Sequence, residues 1–208
     1  MSKKNSNVIL KKAFKESLNL HEVYLDFKKR INKFKNNIFI VAVSGGPDSL
    51  ALAYLSKIYC DEKKLDFTCI IIDHGARKGS GKEAQKVKHL LLKKRIKSVI
   101  FKINITNLKN FHLEARQKRY DKIGEFCKKK KIKHILLGHH LDDQIENFYI
   151  RLSRGSGLTG LSPIKTISKY KKYVLLRPFL NLRKNQLIKI AKKYFNFYVK
   201  DISNFDDK

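Results

Sequence analysis

The chain has 208 residues, 42% of them hydrophobic, so it is long enough to bury the core of one domain and is not disordered as a whole. No apolar run reaches the length of a membrane span, and no secretory signal opens the chain. Three scattered cysteines without a C-x-x-C pair give no basis for a disulfide scaffold, a structural zinc site or an iron–sulfur cluster. We therefore expect a cytoplasmic protein with no membrane segment. The formal net charge of +29 predicts attraction to a polyanion, with nucleic acid the first candidate, although 38 of the 47 basic residues are lysines and an AT-rich coding genome is an alternative cause.

The first 36 residues are polar and rich in lysine, and they contain apolar side chains at helical spacing: Leu20, Val23, Phe27 and Ile31. This pattern predicts a basic helical segment over residues 1–36. A catalytic domain over residues 37–208 is predicted to follow it.

From residue 37 onward, strand-like and helix-like segments alternate. The predicted strands are continuous apolar runs rich in β-branched residues, as buried parallel strands are: Ile38–Val43, Phe67–Asp73, Ser98–Ile103, Ile132–Gly138 and Tyr173–Leu176. The predicted helices follow them: Leu50–Tyr59, Lys82–Lys94, His112–Lys129, His140–Leu152 and Arg183–Tyr194. Such alternation is typical of an α/β fold with a doubly wound, mostly parallel, Rossmann-like sheet, which binds its ligands at the carboxyl ends of the strands.

The loop after the first predicted strand reads Ser44-Gly45-Gly46-Pro47-Asp48-Ser49. Two glycines allow successive backbone N–H groups to turn inward, and the next helix points its N-terminus at the same place, so the loop is suited to bind phosphate. Ser44 and Ser49 add hydroxyl donors, and Asp48 is a candidate ligand for a Mg²⁺ that bridges the phosphates. No lysine follows the glycines, so this is not a Walker A loop. An ordinary turn that caps a helix is the alternative.

This loop resembles the pyrophosphate loop of the N-type ATP pyrophosphatases, whose domain is of the adenine nucleotide alpha hydrolase type. These enzymes adenylate a carbonyl oxygen and release pyrophosphate. Later motifs narrow the resemblance to the tRNA(Ile)-lysidine synthetase family, whose motifs come in the same order: Asp73-His74-Gly75-Ala76-Arg77, Glu114-Ala115-Arg116 with Arg119-Tyr120, Gly138-His139-His140-Leu141-Asp142-Asp143 with Glu146, Arg154-Gly155-Ser156-Gly157, Arg177-Pro178-Phe179-Leu180 and Asp201-Ile202-Ser203-Asn204. The family more often has leucine at the position of Ala76.

The helix predicted from His140 combines three acids in its first turns with an apolar stripe, formed by Leu141, Ile145, Phe148, Tyr149 and Leu152. Asp142, Asp143 and Glu146 are spaced so that their carboxylates can converge, although acids at a helix N-terminus also complement the helix dipole. The resemblance implies that such acids hold Mg²⁺ or the ammonium group of free lysine. Because a lysine amine must lose a proton before it attacks, we assign Asp143 and Glu146 to lysine handling and Asp142 to substrate binding.

Arginines and histidines supply the other candidate residues. Arg116 and Arg119 lie on the helix predicted over residues 112–129, whose apolar positions are expected to face the core: Leu113, Tyr120, Ile123 and Phe126. A guanidinium group binds polyphosphate and stabilises charge that builds up on it, so we assign Arg116 a catalytic role, with a surface salt bridge as the alternative. We expect His139 and His140 to contact phosphate or the modified base. His74 is either a nucleotide contact or a loop cap.

A basic, glycine-rich turn follows the acidic helix. We expect Arg151 and Arg154 to approach an anticodon loop there, because its unpaired bases are open to recognition; a plain connector is the alternative. The resemblance implies ATP and Mg²⁺ as cofactors, and L-lysine and tRNA(Ile) with a CAU anticodon as substrates. It implies that the wobble cytidine is adenylated at its C2 oxygen, with release of pyrophosphate, before the lysine amine displaces AMP.

The resemblance also implies a homodimer, as in some relatives. Many members of the family continue into C-terminal domains, which we expect to be absent because the chain stops soon after Asn204, so that it is either a minimal enzyme or a fragment. Two other functions remain open. A tRNA thiolation enzyme of the same superfamily would usually show paired cysteines, and an RNA-binding module that retains an ATP loop would lack catalysis.

Overall fold

The computed structural model describes residues 18–32, 38–73, 75, 79–105 and 111–199. In chain order these form α1 (Leu18–Ile31), β1 (Phe39–Val43), α2 (Pro47–Lys63), β2 (Phe67–Asp73), α3 (Ser80–Lys93), β3 (Ser98–Lys102), α4 (Phe111–Lys129), β4 (His134–Leu136), α5 (Leu141–Ser153), β5 (Ile167–Tyr170), β6 (Tyr173–Leu176) and α6 (Lys184–Phe195). None of the described helices is both long enough and apolar enough to cross a membrane.

The strands form one six-stranded sheet in the order β3-β2-β1-β4-β6-β5. All neighbouring pairs are parallel except β5 and β6, which are antiparallel. The chain moves outward from β1 to β3 and then crosses to β4 on the other side of β1. The predicted doubly wound, mostly parallel sheet is therefore confirmed, and the carboxyl ends of β1 and β4 lie where the strand order reverses, which is where such sheets form a crevice.

Successive side chains of β1 point to opposite faces of the sheet, because the period of a strand is two residues. Phe39 and Val41 belong to an apolar cluster with α1, α2 and α6. Ile40, between them, belongs to a second cluster with Tyr120 and Ile123 of α4. The sheet is thus buried on both faces, which explains why its central strands are continuous apolar runs.

The helix predicted within residues 1–36 is α1, and its apolar side chains lie in the core. Phe27 is fully buried, and its ring centroid lies 5.9 Å from that of Phe179. This helix and the sheet therefore share one apolar cluster, while the domain boundary at residue 37 stays a prediction.

Two features of the fold differ from the sequence-based expectations. β5 was not expected, because its sequence alternates exposed and half-buried residues at the edge of the sheet and has no continuous apolar run. Leu113 was expected to face the core but is 70% exposed, and Ala115 takes a buried position on α4 instead. The three cysteines are all free and buried.

Candidate active site between the ends of β1 and β4

A cleft of about 440 Å³ opens at the carboxyl ends of β1 and β4. Its walls come from the loop after β1, the segment after β4, α4 and the first turn of α5. Six of the predicted site residues line it: Ser44, Asp48, Ser49, Arg116, His139 and Asp143. Arg119, to which no role was assigned, lines it as well. The fold therefore brings the phosphate loop, the arginine helix and the acidic helix to one cavity.

The loop between β1 and α2 is shaped around the hydroxyl of Ser49. This oxygen accepts hydrogen bonds from the backbone N–H groups of Ser44 and Gly45, both at 3.2 Å, and donates one to the carbonyl of Gly46 at 3.0 Å. Gly45 has a φ of +93°, and a Cβ there would lie 2.7 Å from Val87 Cγ2, so both conformation and space require glycine. The Ser49 hydroxyl therefore donates its proton within the loop, to the carbonyl of Gly46, whereas Ser44 is exposed to solvent.

Asp48 lies in the first turn of α2, and its two carboxylate oxygens have different surroundings. Oδ2 lies 3.5 Å from His140 Nε2. Oδ1 is buried and has no hydrogen-bond partner among the described residues. Carboxylate oxygen is the ligand type that Mg²⁺ prefers, so the unpaired oxygen fits a cation at this edge of the cleft. The described residues contain no group of three or more side chains placed to hold a metal ion together.

His140 is 3% exposed and lies between the phosphate loop and α5. Its Nδ1 accepts a hydrogen bond from the backbone N–H of Asp143 at 3.3 Å, and its own backbone N–H donates to Asp143 Oδ2 at 2.8 Å. These two bonds form a reciprocal cap on α5. Burial opposes the charged imidazole, but a hydrogen bond to Asp48 and the charges of Asp143, Asp48 and Asp142 outweigh it and raise the pKa of His140.

His139 lines the cleft, and its environment is the opposite of that of His140. Burial, together with the positive charges of Arg177 and Arg116, lowers the pKa of His139 to about 4, so the imidazole is neutral near pH 7. Its Nδ1 is buried, with no hydrogen-bond partner among the described residues. A neutral imidazole of this kind can donate or accept a hydrogen bond from a substrate without adding charge.

Arg177, at the carboxyl end of β6, was part of a quoted motif but was not among the predicted site residues. It is 6% exposed and donates from Nη1 to the carbonyl of Lys165 and to Ser168 Oγ, both at 2.9 Å. Burial and the charge of Arg116 lower the pKa of Arg177. Its position behind His139 explains part of that imidazole's low pKa. Its sequence signals were its place after a predicted strand and its position at the start of the motif Arg177-Pro178-Phe179-Leu180.

The three acids of α5 do not converge as the spacing suggested. Asp142 Oδ2 accepts a hydrogen bond from the backbone N–H of Lys184 at 2.7 Å, at the first residue of α6. Asp143 caps α5 and lines the cleft, whereas Glu146 is exposed. The reason is geometric, because consecutive residues of a helix point about 100° apart and Asp142 therefore faces α6 rather than the cleft.

The predicted RNA-facing arginines differ in their contacts. Arg151 Nη1 donates to the carbonyls of Gly160 at 2.7 Å and Ser162 at 3.0 Å, and so orders the turn that follows α5. Arg154 is exposed at the end of the helix. The apolar stripe of α5 is also largely exposed: Ile145 43%, Phe148 43%, Tyr149 63% and Leu152 50%.

Some expected site residues lie outside the described residues, namely His74 and the motif at positions 201–204. Their neighbours are described. Asp73 Oδ1 accepts hydrogen bonds from the backbone N–H of Gly75 at 3.0 Å and from Ser80 Oγ at 2.7 Å, which joins the end of β2 to the start of α3. Val199 donates its backbone N–H to the carbonyl of Gly45 at 2.9 Å, so the segment after α6 contacts the phosphate loop. Neither Asp73 nor Val199 was predicted to have a role from the sequence.

The chain is similar in sequence to curated proteins of known name. The tRNA(Ile)-lysidine synthase of Wolbachia pipientis wMel is 38% identical over 195 residues, which cover 90% of this chain and 44% of that protein. The enzyme of the same name from Rickettsia africae (strain ESF-5) is 33% identical over 193 residues, covering 89% of this chain and 40% of the relative. The chain thus spans less than half the length of these curated relatives.

Among solved structures, the U34-tRNA thiolase of Methanococcus maripaludis superposes with a TM-score of 0.71 at 19% identity, covering 89% of this chain and 67% of that one. This likeness concerns the fold alone. The family described as PP-loop domain matches residues 19–208, which include all but the first residue of α1, the phosphate loop and every wall of the cleft. The chain belongs to the PP-loop family.

Proposed function

We propose that this chain carries the catalytic domain of a tRNA(Ile)-lysidine synthetase, which uses ATP to join L-lysine to C2 of the wobble cytidine of tRNA(Ile) with a CAU anticodon. One observation carries the proposal: the phosphate loop, Arg116 and Asp143 line a single cleft, in a chain similar over about 90% of its length to proteins of that name. A cleft of about 440 Å³ falls in the usual range for a small-molecule site.

In the proposed first step, the C2 oxygen of cytidine attacks the α-phosphorus of ATP, and pyrophosphate leaves. In the loop of residues 44–49 the N–H groups of Ser44 and Gly45 already donate to Ser49 Oγ, so the phosphates are held at the N-terminus of α2. Arg116 and Arg119 line the same cleft, where a guanidinium group stabilises the charge that develops on the leaving pyrophosphate. Burial lowers the pKa of Arg119, as does the charge of Arg116, so this pair favours a polyanion beside it.

In the proposed second step, the ε-amine of lysine attacks C2, and AMP leaves with the former C2 oxygen. The lysine ammonium must first lose a proton, which Asp143 or Glu146 accepts. These two residues are three positions apart on α5 and therefore lie on the same side of it. Asp142 is a different case, because its carboxylate already caps α6, and we propose that it supports the site without touching lysine.

Mg²⁺ is included in the proposal because the buried, unpaired Oδ1 of Asp48 suits a hard cation. When bound, the ion would neutralise charge on the phosphates. The chain's own residues still orient the nucleotide through the loop.

The tRNA is proposed to lie along α5 and the turn after it. When the cytidine reacts in the cleft, the nucleotides next to it must lie near the mouth of the cleft. Helix α5 leads from the cleft to the exposed Arg154. Phe148 and Tyr149 are exposed on this helix, and unpaired bases stack on aromatic rings. The charge of +29 favours an RNA over a second copy of the same positive chain on this surface.

The proposal also takes the chain to be a cytoplasmic homodimer. Three free, buried cysteines suit a reducing compartment and are not arranged for sulfur transfer. Light scattering over a range of protein concentrations tests the proposed dimer. A monomeric mass at every concentration refutes the homodimer.

The function is tested with purified chain, ATP, Mg²⁺, labelled lysine and a tRNA(Ile) transcript with a CAU anticodon. We expect AMP and labelled tRNA, neither of them when the wobble cytidine is replaced by uridine. Asp48→Ala should abolish both products. Asp61→Ala is the matched control, because this acid lies on the far part of α2 and is paired with Lys57. Absence of both products from the unaltered chain refutes the proposal, and a sulfur-dependent mass increase of the tRNA supports thiolation instead.

A further inference from the structure

His140 was predicted to contact a substrate, but both of its ring nitrogens are engaged by the protein. Nδ1 accepts the backbone N–H of Asp143, so the neutral ring carries its proton on Nε2. Nε2 faces Asp48 Oδ2 at 3.5 Å, and the residue is 3% exposed. No ring nitrogen is left to bind nucleotide, lysine or RNA.

Three acids lie within 4 Å of the His140 ring. Asp142 is directed to α6, and the other two belong to different halves of the cleft. Asp48 lies in the phosphate loop after β1, and Asp143 lies in the first turn of α5 after β4. The proposed function places the nucleotide at the first and lysine at the second. The imidazole is therefore a bridge across the point where the strand order of the sheet reverses.

A helix cap alone does not require histidine. The residues preferred at this position are Ser, Thr, Asp and Asn, each of which supplies an acceptor close to the backbone. What the imidazole adds is a donor on the far side of a rigid ring, and that donor reaches the Asp48 carboxylate. The second contact leaves the other carboxylate oxygen, Oδ1, without a partner among the described residues.

We propose that His140 is a positioning residue that holds Asp48 Oδ2, and so aims the remaining oxygen of Asp48 at the nucleotide and its cation, while the same ring caps the helix that carries Asp143. This inference rests on the proposed function for the identity of the ligands. It predicts that the two ring nitrogens have separable effects: Nε2 affects the affinity for ATP, and Nδ1 affects the stability of α5.

Two substitutions separate the two edges. In His140→Asn the amide oxygen takes the place of Nδ1, so the cap remains, but nothing reaches Asp48. In His140→Gln the amide nitrogen takes the place of Nε2, so Asp48 keeps its donor, while the cap on α5 is weakened. The same two changes at His89, which is exposed on α3, serve as matched controls.

The measurements are ATP affinity by titration calorimetry in the presence of Mg²⁺, pyrophosphate release with the tRNA, and the midpoint of urea unfolding. We expect His140→Asn to keep the unfolding midpoint, weaken ATP binding about tenfold and slow pyrophosphate release at least as much, because a displaced carboxylate near the reacting group impairs orientation. His140→Gln should lower the unfolding midpoint and restore most of the ATP affinity. The His89 variants should match the unaltered chain in all three.

Unchanged ATP affinity in His140→Asn overturns the proposal and leaves a plain helix cap. Equal loss of ATP affinity in both variants, with unchanged unfolding, also overturns it and favours direct contact with the nucleotide. Failure of the proposed function has another signature: the unaltered chain binds ATP but attaches no lysine to the tRNA. The affinity comparison remains decisive in that case, because it does not depend on lysine transfer.

Discussion

Replacement of Gly138 by alanine tests whether the end of β4 sets the position of the phosphate loop. A Cβ at this position would lie 3.2 Å from the carbonyl carbon of Asp48 and from the backbone nitrogen of Ser49, and 3.3 Å from the Asp48 oxygen. All three atoms are backbone in the first turn of α2, so no side chain can rotate away. Gly138 does not have a positive φ, so alanine adds steric contact without backbone strain.

The contacts imply a displacement of a few tenths of an ångström between β4 and the loop. Overpacking of this kind costs about 1–3 kcal/mol of unfolding free energy. A 1 Å misplacement of reacting groups can lower a rate by about 10²-fold, so a smaller shift should slow pyrophosphate release several-fold. We therefore expect Gly138→Ala to affect the reaction in addition to stability.

Urea unfolding and tRNA-dependent pyrophosphate release measure the two effects. Gly157→Ala is the control for stability, because a Cβ there has open space and Gly157 has no positive φ, and it should change the unfolding free energy by less than about 0.5 kcal/mol. A Gly138→Ala variant with unaltered stability and rate would refute the reasoning, since the loop would then not be positioned by this contact.

Further predictions concern the acids, His139 and the RNA surface. Asp142→Ala should lower the unfolding free energy by about 0.5–2 kcal/mol through loss of the α6 cap, with Asp142→Asn restoring most of it, whereas Glu146→Ala should leave urea unfolding unchanged and reduce lysine attachment. The folded-state pKa of His139 is about 4, below its ordinary 6.5, so its contribution to stability is complete above pH 6.5 and is lost as the pH falls towards 4. Between pH 7 and 4.5, the free energy of urea unfolding should fall by about 2 kcal/mol more for the unaltered chain than for His139→Asn, and equal losses would contradict the assigned environment. Tyr149→Ala should weaken tRNA binding by about 1–3 kcal/mol in a fluorescence titration, and binding by the unaltered chain should fall more than about tenfold between 50 and 200 mM salt; a flat salt response would argue against charge-driven binding.

Much of the fold follows from local sequence. The central strands are buried on both faces, so their continuous apolar runs predicted them well, and β2 has the predicted bounds Phe67–Asp73. The edge strand β5 was missed because a strand with one partner and an exposed side needs no such run. Leu113 satisfied the helical spacing yet lies exposed, because periodicity gives the direction of a face without showing that a partner covers it.

The sequence by itself determined the order of the motifs, the glycines of the phosphate loop and the types of residue available for chemistry. Only the tertiary structure decided which of them meet. It directs Asp142 to α6 and Asp143 to the cleft, because neighbouring positions on a helix face different elements. It also separates His139, neutral beside Arg177, from His140, enclosed by carboxylates, because the surroundings of a side chain come from segments distant in the chain.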